Sequence, residues 1–142
     1  MLTFLLTLSE GLKMSICKEL HAAAIEACKH PAHEKDHRVA RVGCVIRRKD
    51  GAIVKARNAA THRSENDPCI IATGHVADRH AEARATRKAD AGGVAYVARV
   101  KRDGTYGNAR PCATCRIIMR SKGIVKAYYT LSDREWGCIE LK

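Results

Sequence analysis

Three residues that can bind a metal ion stand in two short segments far apart in the sequence, and this limits the possible folds more than any other feature. Residues 80–82 read His-Ala-Glu, and residues 111–115 read Pro-Cys-Ala-Thr-Cys. His80, Cys112 and Cys115 can share one ion only if the fold brings the two segments together. Three protein ligands with no obvious fourth are typical of a catalytic zinc site, whose open position holds water, whereas a structural site usually closes with a fourth Cys or His.

Both segments are predicted to begin a helix. A helix predicted over residues 79–91 contains His80 in its first turn, and a second, over residues 112–122, begins with Cys112. Cys115 follows at a spacing of three residues, so both thiols point to the same side of a helical turn. The positive ends of the two helix dipoles favour thiolate over thiol. Two helix N-termini can therefore converge on one ion.

The remaining sequence predicts a layered α/β domain. Ser15 can cap a helix over residues 15–29, in which apolar residues recur at helical spacing. β-Branched residues indicate strands, and the polar segment 59–76 is predicted as an active-site loop. Helices between strands imply that they pack on a sheet. The buried helix face is predicted to comprise Ile16, Leu20, Ala23, Ala24 and Ala27, and the strands to span residues 39–47, 52–58, 94–100, 124–131 and 136–141.

The connection between the last two predicted strands determines how they pair. Only residues 132–135 separate them. A parallel pair needs a crossover of a dozen or more residues, so these two strands are predicted to form an antiparallel hairpin.

The length of the chain allows one compact domain and is too short for two. The domain is predicted over residues 14–142, with residues 1–13 as an N-terminal extension, because Met14 could be an alternative start. The apolar residues 1–8 lack the features of a signal peptide and are too short to span a bilayer. Seven cysteines, an odd number, argue against a disulfide framework. These features predict a cytoplasmic protein without a membrane partner.

Together the two segments match the pattern His-x-Glu…Pro-Cys-x-x-Cys of zinc-dependent nucleobase deaminases, and the chain resembles the cytidine deaminase superfamily. The resemblance implies a three-layer α/β/α fold with a five-stranded mixed sheet, and the final hairpin is similar to that of the free-nucleoside enzymes. It implies one catalytic Zn²⁺ bound by His80, Cys112 and Cys115, with Glu82 as the proton shuttle. The implied reaction is hydrolytic deamination of a cytosine nucleoside or nucleotide, which releases ammonia.

The resemblance also implies two substrate contacts. Asn58, at the end of the second predicted strand, corresponds to an Asn that often contacts the sugar, although a turn residue is an alternative interpretation. Ala81 corresponds to a position whose backbone N–H contacts the base. The chain departs from the free-nucleoside enzymes at Ala113 and Ile117, where they carry Gly and Gln, and this leaves the exact substrate open. Members of the superfamily usually form dimers or tetramers, so a homo-oligomer is expected.

Basic residues outnumber acidic ones, at 26 Lys and Arg against 15 Asp and Glu, which gives a formal net charge of +11. This excess favours anionic partners such as nucleotides or nucleic acid, although it is equally typical of a solvated basic surface. The aromatic content of 4% argues against binding of single strands by base stacking. A single base flipped into a pocket needs few aromatic residues, however.

Three functions remain open at this level. The first is a deaminase of a cytosine nucleoside or nucleotide, and the second is a deaminase of cytosine or adenine bases within DNA or RNA. The third is a non-catalytic, zinc-stabilised binding module. Glu82 and the missing fourth ligand argue against the third, while a Cys-x-x-Cys pair by itself could also be a zinc knuckle or a redox pair.

The other histidines and cysteines have simpler interpretations. A second, structural zinc is one hypothesis for two groups of potential ligands, and solvated loop histidines are the alternative. These groups are His30, His33 and His37, and His62, Cys69 and His75. The remaining cysteines are predicted to be small buried core residues, namely Cys17, Cys28, Cys44 and Cys138.

Overall fold

Helices alternate with strands along the chain and produce one mixed sheet with helices on both faces. The computed structural model describes residues 9–29, 41–58, 80–89 and 92–141. Within these ranges there are three helices and six strands. In chain order they are α1 Glu10–Ala27, β1 Arg41–Arg48, β2 Ile53–Arg57, α2 Ala81–Arg87, β3 Gly93–Val100, β4 Tyr106–Gly107, α3 Ala113–Ser121, β5 Ile124–Thr130 and β6 Trp136–Glu140.

The strands of the sheet follow the order β2-β1-β3-β5-β6, and β4 pairs with the end of β3. β3 and β5 run parallel, with α3 in the connection between them, and the other described pairs are antiparallel. The β5–β6 hairpin confirms the pairing predicted from its short connection. The sequence predicts five strands, and the described residues form six. The additional strand, β4, contains two residues, too few for an alternating pattern to indicate it.

Both faces of the sheet are buried, and each face contributes to its own hydrophobic cluster. On β1, Val45 packs in the cluster with α1, whereas Cys44 and Ile46 pack in the cluster with α2 and α3. Successive side chains of a strand point to opposite faces, so a central strand supplies both clusters in turn. The three-layer α/β/α architecture implied by the sequence is therefore confirmed.

Helix α1 begins earlier than predicted. Ser9 is its N-cap, and the Ser9 hydroxyl oxygen accepts a hydrogen bond from the backbone N of Leu12 at 3.1 Å. The predicted buried face is correct in all five residues. The turns before Ser15 are mostly exposed, and they therefore lack the apolar periodicity by which a helix is predicted. The proposed domain boundary after residue 13 lies inside α1 and stays a prediction.

The contact between α1 and β1 depends on the absence of a side chain at Gly43. A Cβ atom at Gly43 would overlap the backbone carbonyl oxygen of Ala23 and lie 2.7 Å from the backbone N of Ala27. Both alanines are completely buried. Glycine in a strand is typical of such places, where another backbone approaches closely.

The prediction of four buried cysteines is correct only in part. Cys44 is buried and Cys138 is half-buried, but Cys17 and Cys28 are exposed. Cys17 lies at the edge of the buried face of α1, and Cys28 follows the last residue of that helix, so neither reaches the core. The six cysteines of the described ranges are all free thiols.

Some predictions concern residues outside the described ranges. Among the residues that the structure describes, no helix combines the length and the apolar character needed to cross a bilayer. The predicted loop over residues 59–76 lies outside them. The same holds for both groups considered for a second zinc, which are His30, His33 and His37, and His62, Cys69 and His75.

Candidate metal and catalytic site

The two sequence segments meet at the N-terminal ends of α2 and α3. His80 is the N-cap of α2 and Cys112 is the N-cap of α3, each with an extended backbone. The prediction placed His80 inside the first helical turn, and it instead directly precedes the first helical residue, Ala81. The sulfur of Cys112 accepts a hydrogen bond from the backbone N of Cys115 at 3.4 Å, so Cys112 caps its own helix. Both side chains therefore extend from helix ends toward a common point.

His80, Cys112 and Cys115 form a group that could hold a metal ion. Their ligand atoms all lie within 4.8 Å of one another. Nδ1 of His80 is 3.8 Å from Sγ of Cys112 and 3.4 Å from Sγ of Cys115. Tetrahedral zinc, with bonds of about 2.0 Å to nitrogen and about 2.3 Å to sulfur, sets such atoms about 3.5 Å apart. The donor set and its spacing fit Zn²⁺, and within the described ranges no fourth His, Cys, Asp or Glu joins the group.

The two thiols of the group differ in acidity. Hydrogen bonding with Cys115 lowers the pKa of the Cys112 thiol to about 3, although burial opposes this and His80 assists it. Hydrogen bonding with Cys112 and burial raise the pKa of the Cys115 thiol. Cys112 is therefore the more acidic of the two thiols. A bound metal ion would take both cysteines as thiolates, because thiols bind metals in the deprotonated form.

Glu82 lies beside this group with its carboxyl removed from solvent. The residue is 6% exposed, and no lysine or arginine of the described ranges forms an ion pair with it. Burial raises the pKa of the Glu82 carboxyl, while the imidazole of His80 and hydrogen bonding with Cys115 partly oppose the rise. A buried carboxyl without a lysine or arginine partner is unfavourable for folding and is typical of sites that transfer protons.

A cavity of about 290 Å³ opens next to the metal-binding group. Its walls come from the start of β1, the ends of β2 and β3, the start of α2 and the segment before α3. Five of the six residues proposed from the sequence line it, namely Asn58, His80, Ala81, Glu82 and Cys112. Cys115 is completely buried behind them. The structure thus brings the metal-binding group, the acid and the two proposed substrate contacts to one cavity.

Asn58 extends the pairing of β2 with β1 through its side chain. The backbone N of Val42 donates to Oδ1 of Asn58 at 3.0 Å, and the backbone N of Asn58 donates to the carbonyl oxygen of Val42 at 3.1 Å. Since Oδ1 is engaged in the sheet, a substrate contact by this side chain would use Nδ2 as a donor. Asn58 therefore has a structural role as well as a position on the cavity wall.

Sequence reasoning misses three polar residues of the cavity wall, Arg99, Asn108 and Arg110. Asn108 and Arg110 precede Pro111 in a segment for which no regular element is predicted. Arg99 lies on the face of β3 whose residues Ala95 and Val97 are buried, so an alternating strand would carry an apolar residue there. That break in the alternation is the one signal from which a site residue could have been inferred.

The two departures from the superfamily pattern lie away from the cavity wall. Ala113 and Ile117 are both exposed on α3, and neither is among the described residues that line the cavity. The described wall of the cavity therefore contains neither position.

Among the solved structures that share the fold of this chain are two cytidine deaminases. One is the crystal structure of a cytidine deaminase from Burkholderia pseudomallei, with a TM-score of 0.54 and 18% identity over 85% of this chain and 91% of that chain. The other is a cytidine deaminase from Mycobacterium leprae, with a TM-score of 0.51 and 16% identity over 85% of this chain and 90% of that chain. No protein-family model and no curated protein matches the sequence. The chain has the cytidine deaminase fold that the sequence resemblance implies.

Proposed function

We propose that this chain, which has the cytidine deaminase fold, is a zinc-dependent hydrolytic deaminase of a cytosine nucleoside or nucleotide. The observation that carries the proposal is the buried carboxyl of Glu82, which lines the same cavity as His80 and Cys112. A metal site by itself would serve a non-catalytic module equally well. A buried acid that faces a cavity beside the metal site serves proton transfer.

Zn²⁺ would be held by His80, Cys112 and Cys115. Imidazole and thiolate are ligands that zinc prefers, and catalytic sites use three protein ligands. When bound, the ion supplies Lewis acidity, which makes water a nucleophile near neutral pH. His80 and Cys112 occupy the N-cap positions of their helices and line the cavity wall, where a substrate can approach.

Glu82 would move the protons of the reaction. Its carboxylate accepts a proton from the attacking water and donates it to the ring nitrogen beside the carbon that carries the amino group. The carboxylate next takes the proton of the new hydroxyl group and passes it to the amino group. The carbon–nitrogen bond then breaks, ammonia leaves and a carbonyl group remains. Help of this kind contributes about 10²–10⁴-fold to a rate.

Two contacts would orient the substrate. Ala81 is the first residue of α2, and the backbone N–H groups at a helix N-terminus have no acceptor within the helix. The N–H of Ala81 would donate to the base, and its small side chain takes little space in the cavity wall. Nδ2 of Asn58 would donate to the sugar.

A cytosine or adenine base within DNA or RNA is the second candidate substrate. It is favoured by the two arginine side chains on the cavity wall, Arg99 and Arg110, since guanidinium groups bind the phosphates of nucleic acids. Assembly into a homo-oligomer and a cytoplasmic location stay predictions from the sequence.

Replacing Glu82 by Gln tests the proposal, because the amide keeps the size of the side chain and cannot accept a proton. We expect zinc-loaded Glu82→Gln to retain one zinc ion per chain and to lose about 10²–10⁴-fold in kcat. Bound zinc and ammonia release from cytidine and CMP are measured on the same sample.

Glu19→Gln is a matched control. Glu19 is buried to a similar degree, at 7% exposed, but it lies on α1 and pairs with Arg47 at 3.1 Å. Turnover by this variant should remain close to that of the unchanged protein. Full activity of Glu82→Gln would disprove the proposed role of the acid. Absence of ammonia release by the unchanged, zinc-loaded protein from every cytosine compound would disprove the proposed function.

A further inference from the structure

Two arginine side chains line the same cavity as Glu82 and are not neutralised within the described part of the chain. Arg99 and Arg110 both border the cavity and are both exposed. Neither guanidinium group forms an ion pair or a hydrogen bond with any residue that the structure describes. Among the described wall residues, Glu82 is the only acid. The cavity therefore presents more positive than negative charge.

The sheet holds Arg99 at the cavity. Arg99 pairs with Val42 of β1, which also lines the cavity, and on its other side with Gly107 of β4. It lies on the same face as the buried Val97, toward α2 and α3. A Cβ atom at Gly107 would be 3.3 Å from Cδ of Arg99, so the missing side chain leaves room for the arginine stem.

A turn in the segment before α3 holds Arg110. Its backbone N donates to Oδ1 of Asn108 at 2.9 Å. The backbone N of Ala109 donates to the carbonyl oxygen of Thr130 at 2.8 Å. Ala109 and Pro111 are both buried, so the chain is anchored on either side of Arg110, which lines the cavity.

A free cytosine nucleoside would leave this positive charge uncompensated. Two thiolates balance the charge of one zinc ion, and both cytosine and the sugar are neutral. A phosphate group supplies a charge of about −1.5 to −2 near neutral pH. Guanidinium groups also bind phosphate through paired hydrogen bonds of favourable geometry. Phosphate is thus the substrate group that matches the two arginines.

We propose that Arg99 and Arg110 bind a phosphate group of the substrate. This inference rests on the proposed function and narrows it to a phosphorylated cytosine nucleoside. The phosphate belongs either to a free nucleoside monophosphate or to the phosphodiester backbone of a polynucleotide. Both sources offer the same oxygen acceptors to a guanidinium group.

The substrate preference of the unchanged, zinc-loaded protein tests the inference first. Its kcat/KM for ammonia release is measured with cytidine and deoxycytidine, with CMP and dCMP, and with a cytosine-containing oligonucleotide. We expect at least one phosphorylated substrate to exceed its nucleoside by about ten-fold or more, the usual size of a hydrogen bond to a charged group. Preference for CMP or dCMP identifies the monophosphate as the source, and preference for the oligonucleotide identifies the phosphodiester.

Arg99→Gln and Arg110→Gln test the residues themselves. Each variant removes a charge and keeps most of the aliphatic stem, and both sites are exposed, so the fold should be retained. We expect each variant to reduce the ratio of kcat/KM for the phosphorylated substrate over the nucleoside by about ten-fold. Arg120→Gln is the matched control, because Arg120 is exposed on α3 and does not line the cavity. The ratio should be the same in Arg120→Gln as in the unchanged protein.

Equilibrium binding provides a readout that does not need turnover. In the Glu82→Gln background, the phosphorylated compound preferred in turnover should bind more tightly than its nucleoside, and each additional arginine substitution should weaken the binding of that compound. Equal kcat/KM for nucleoside and phosphorylated substrates in an active protein would overturn the phosphate inference alone. The assignment to Arg99 and Arg110 would be overturned if Arg120→Gln lowered the ratio of kcat/KM for the phosphorylated substrate over the nucleoside as much as the two arginine variants do. No ammonia release from any cytosine compound would instead refute the proposed function.

Discussion

Thr130 connects the end of β5 to the cavity wall through three hydrogen bonds. Its hydroxyl oxygen accepts from the backbone N of Arg99 at 3.1 Å, and its hydroxyl donates to the carbonyl oxygen of Gly107 at 2.7 Å. Its own carbonyl oxygen accepts from the backbone N of Ala109 at 2.8 Å. Because Thr130 is 2% exposed, these groups are removed from solvent. Thr130 therefore holds the end of β3 and β4 through its buried side chain, and the segment that carries Arg110 through its backbone carbonyl.

Replacing Thr130 by Val should reduce the stability of the protein. Valine has nearly the same shape but leaves the N–H of Arg99 and the carbonyl of Gly107 without this partner. A buried polar group left without a hydrogen bond costs about 1–3 kcal/mol, and we expect a loss of that size in the free energy of unfolding, measured by urea denaturation. Thr130→Ser keeps the hydroxyl group and should lose less. Equal stability of Thr130→Val and the unchanged protein would show that the hydroxyl group has no such role.

The contact of α1 with β1 shows how small residues set the distance between two elements. Gly43 of β1 lies against the backbone of Ala23 and Ala27, which are completely buried. Since helix and strand touch through backbone atoms, no flexible side chain can move aside to admit an extra atom. A methyl group at this point must displace the helix from the sheet.

Gly43→Ala should therefore destabilise the protein strongly. Overpacking costs about 1–3 kcal/mol and occasionally more, and the upper end is expected because the overlapping atom belongs to the backbone. Gly11→Ala, within α1, is the contrasting variant, since nothing lies within 4 Å of its added Cβ. It should raise the free energy of unfolding by about 0.5–1 kcal/mol, the usual advantage of Ala over Gly in a helix. Urea denaturation of both variants measures the difference, and similar stabilities would contradict the proposed packing.

The metal-binding group joins two helices that belong to different parts of the chain. His80 precedes α2, which packs on β1 and β2, while Cys112 and Cys115 belong to the start of α3, which packs on β5. An ion bound by all three residues would link these elements in the folded state alone. Ligands that bind only the folded state stabilise it by mass action.

Removal of zinc should therefore lower the melting temperature. Stabilisation reaches about 4 kcal/mol when the free ion is about a thousand-fold above its Kd, so a chelator should cause a clear fall in Tm for the zinc-loaded protein. Cys115→Ser should lose the bound zinc, and its Tm should no longer respond to the chelator.

Cys17→Ser is the control for this experiment, because Cys17 is exposed on α1 and outside the metal-binding group. It should keep one zinc ion and the full response to the chelator. A Cys115→Ser protein that retains zinc with unchanged stoichiometry would contradict the assignment of this ligand.

Most of the secondary structure could be predicted, because it follows from local patterns. The buried face of α1 and the β5–β6 hairpin follow from apolar spacing and from the length of one connection. The start of α1 and the two-residue strand β4 could not be predicted, since exposed turns and very short strands carry no such pattern. The exposure of Cys17 could not be predicted either, because it depends on where the buried face of α1 ends against the sheet.

The sequence by itself determined which residues could bind a metal and which acid could accompany them, because these depend on residue type and on spacing within two short segments. Only the tertiary structure decided what else surrounds that acid. Arg99 borders the cavity of Glu82 because the register of β3 with β1 and β4 carries it there, and Arg110 does so because its neighbour Ala109 is hydrogen-bonded to Thr130. A shift of one residue in a strand would turn its side chains to the other face. The sequence marks Arg99 only by a break in apolar alternation and Arg110 by no local pattern, because their neighbours in space come from distant parts of the chain.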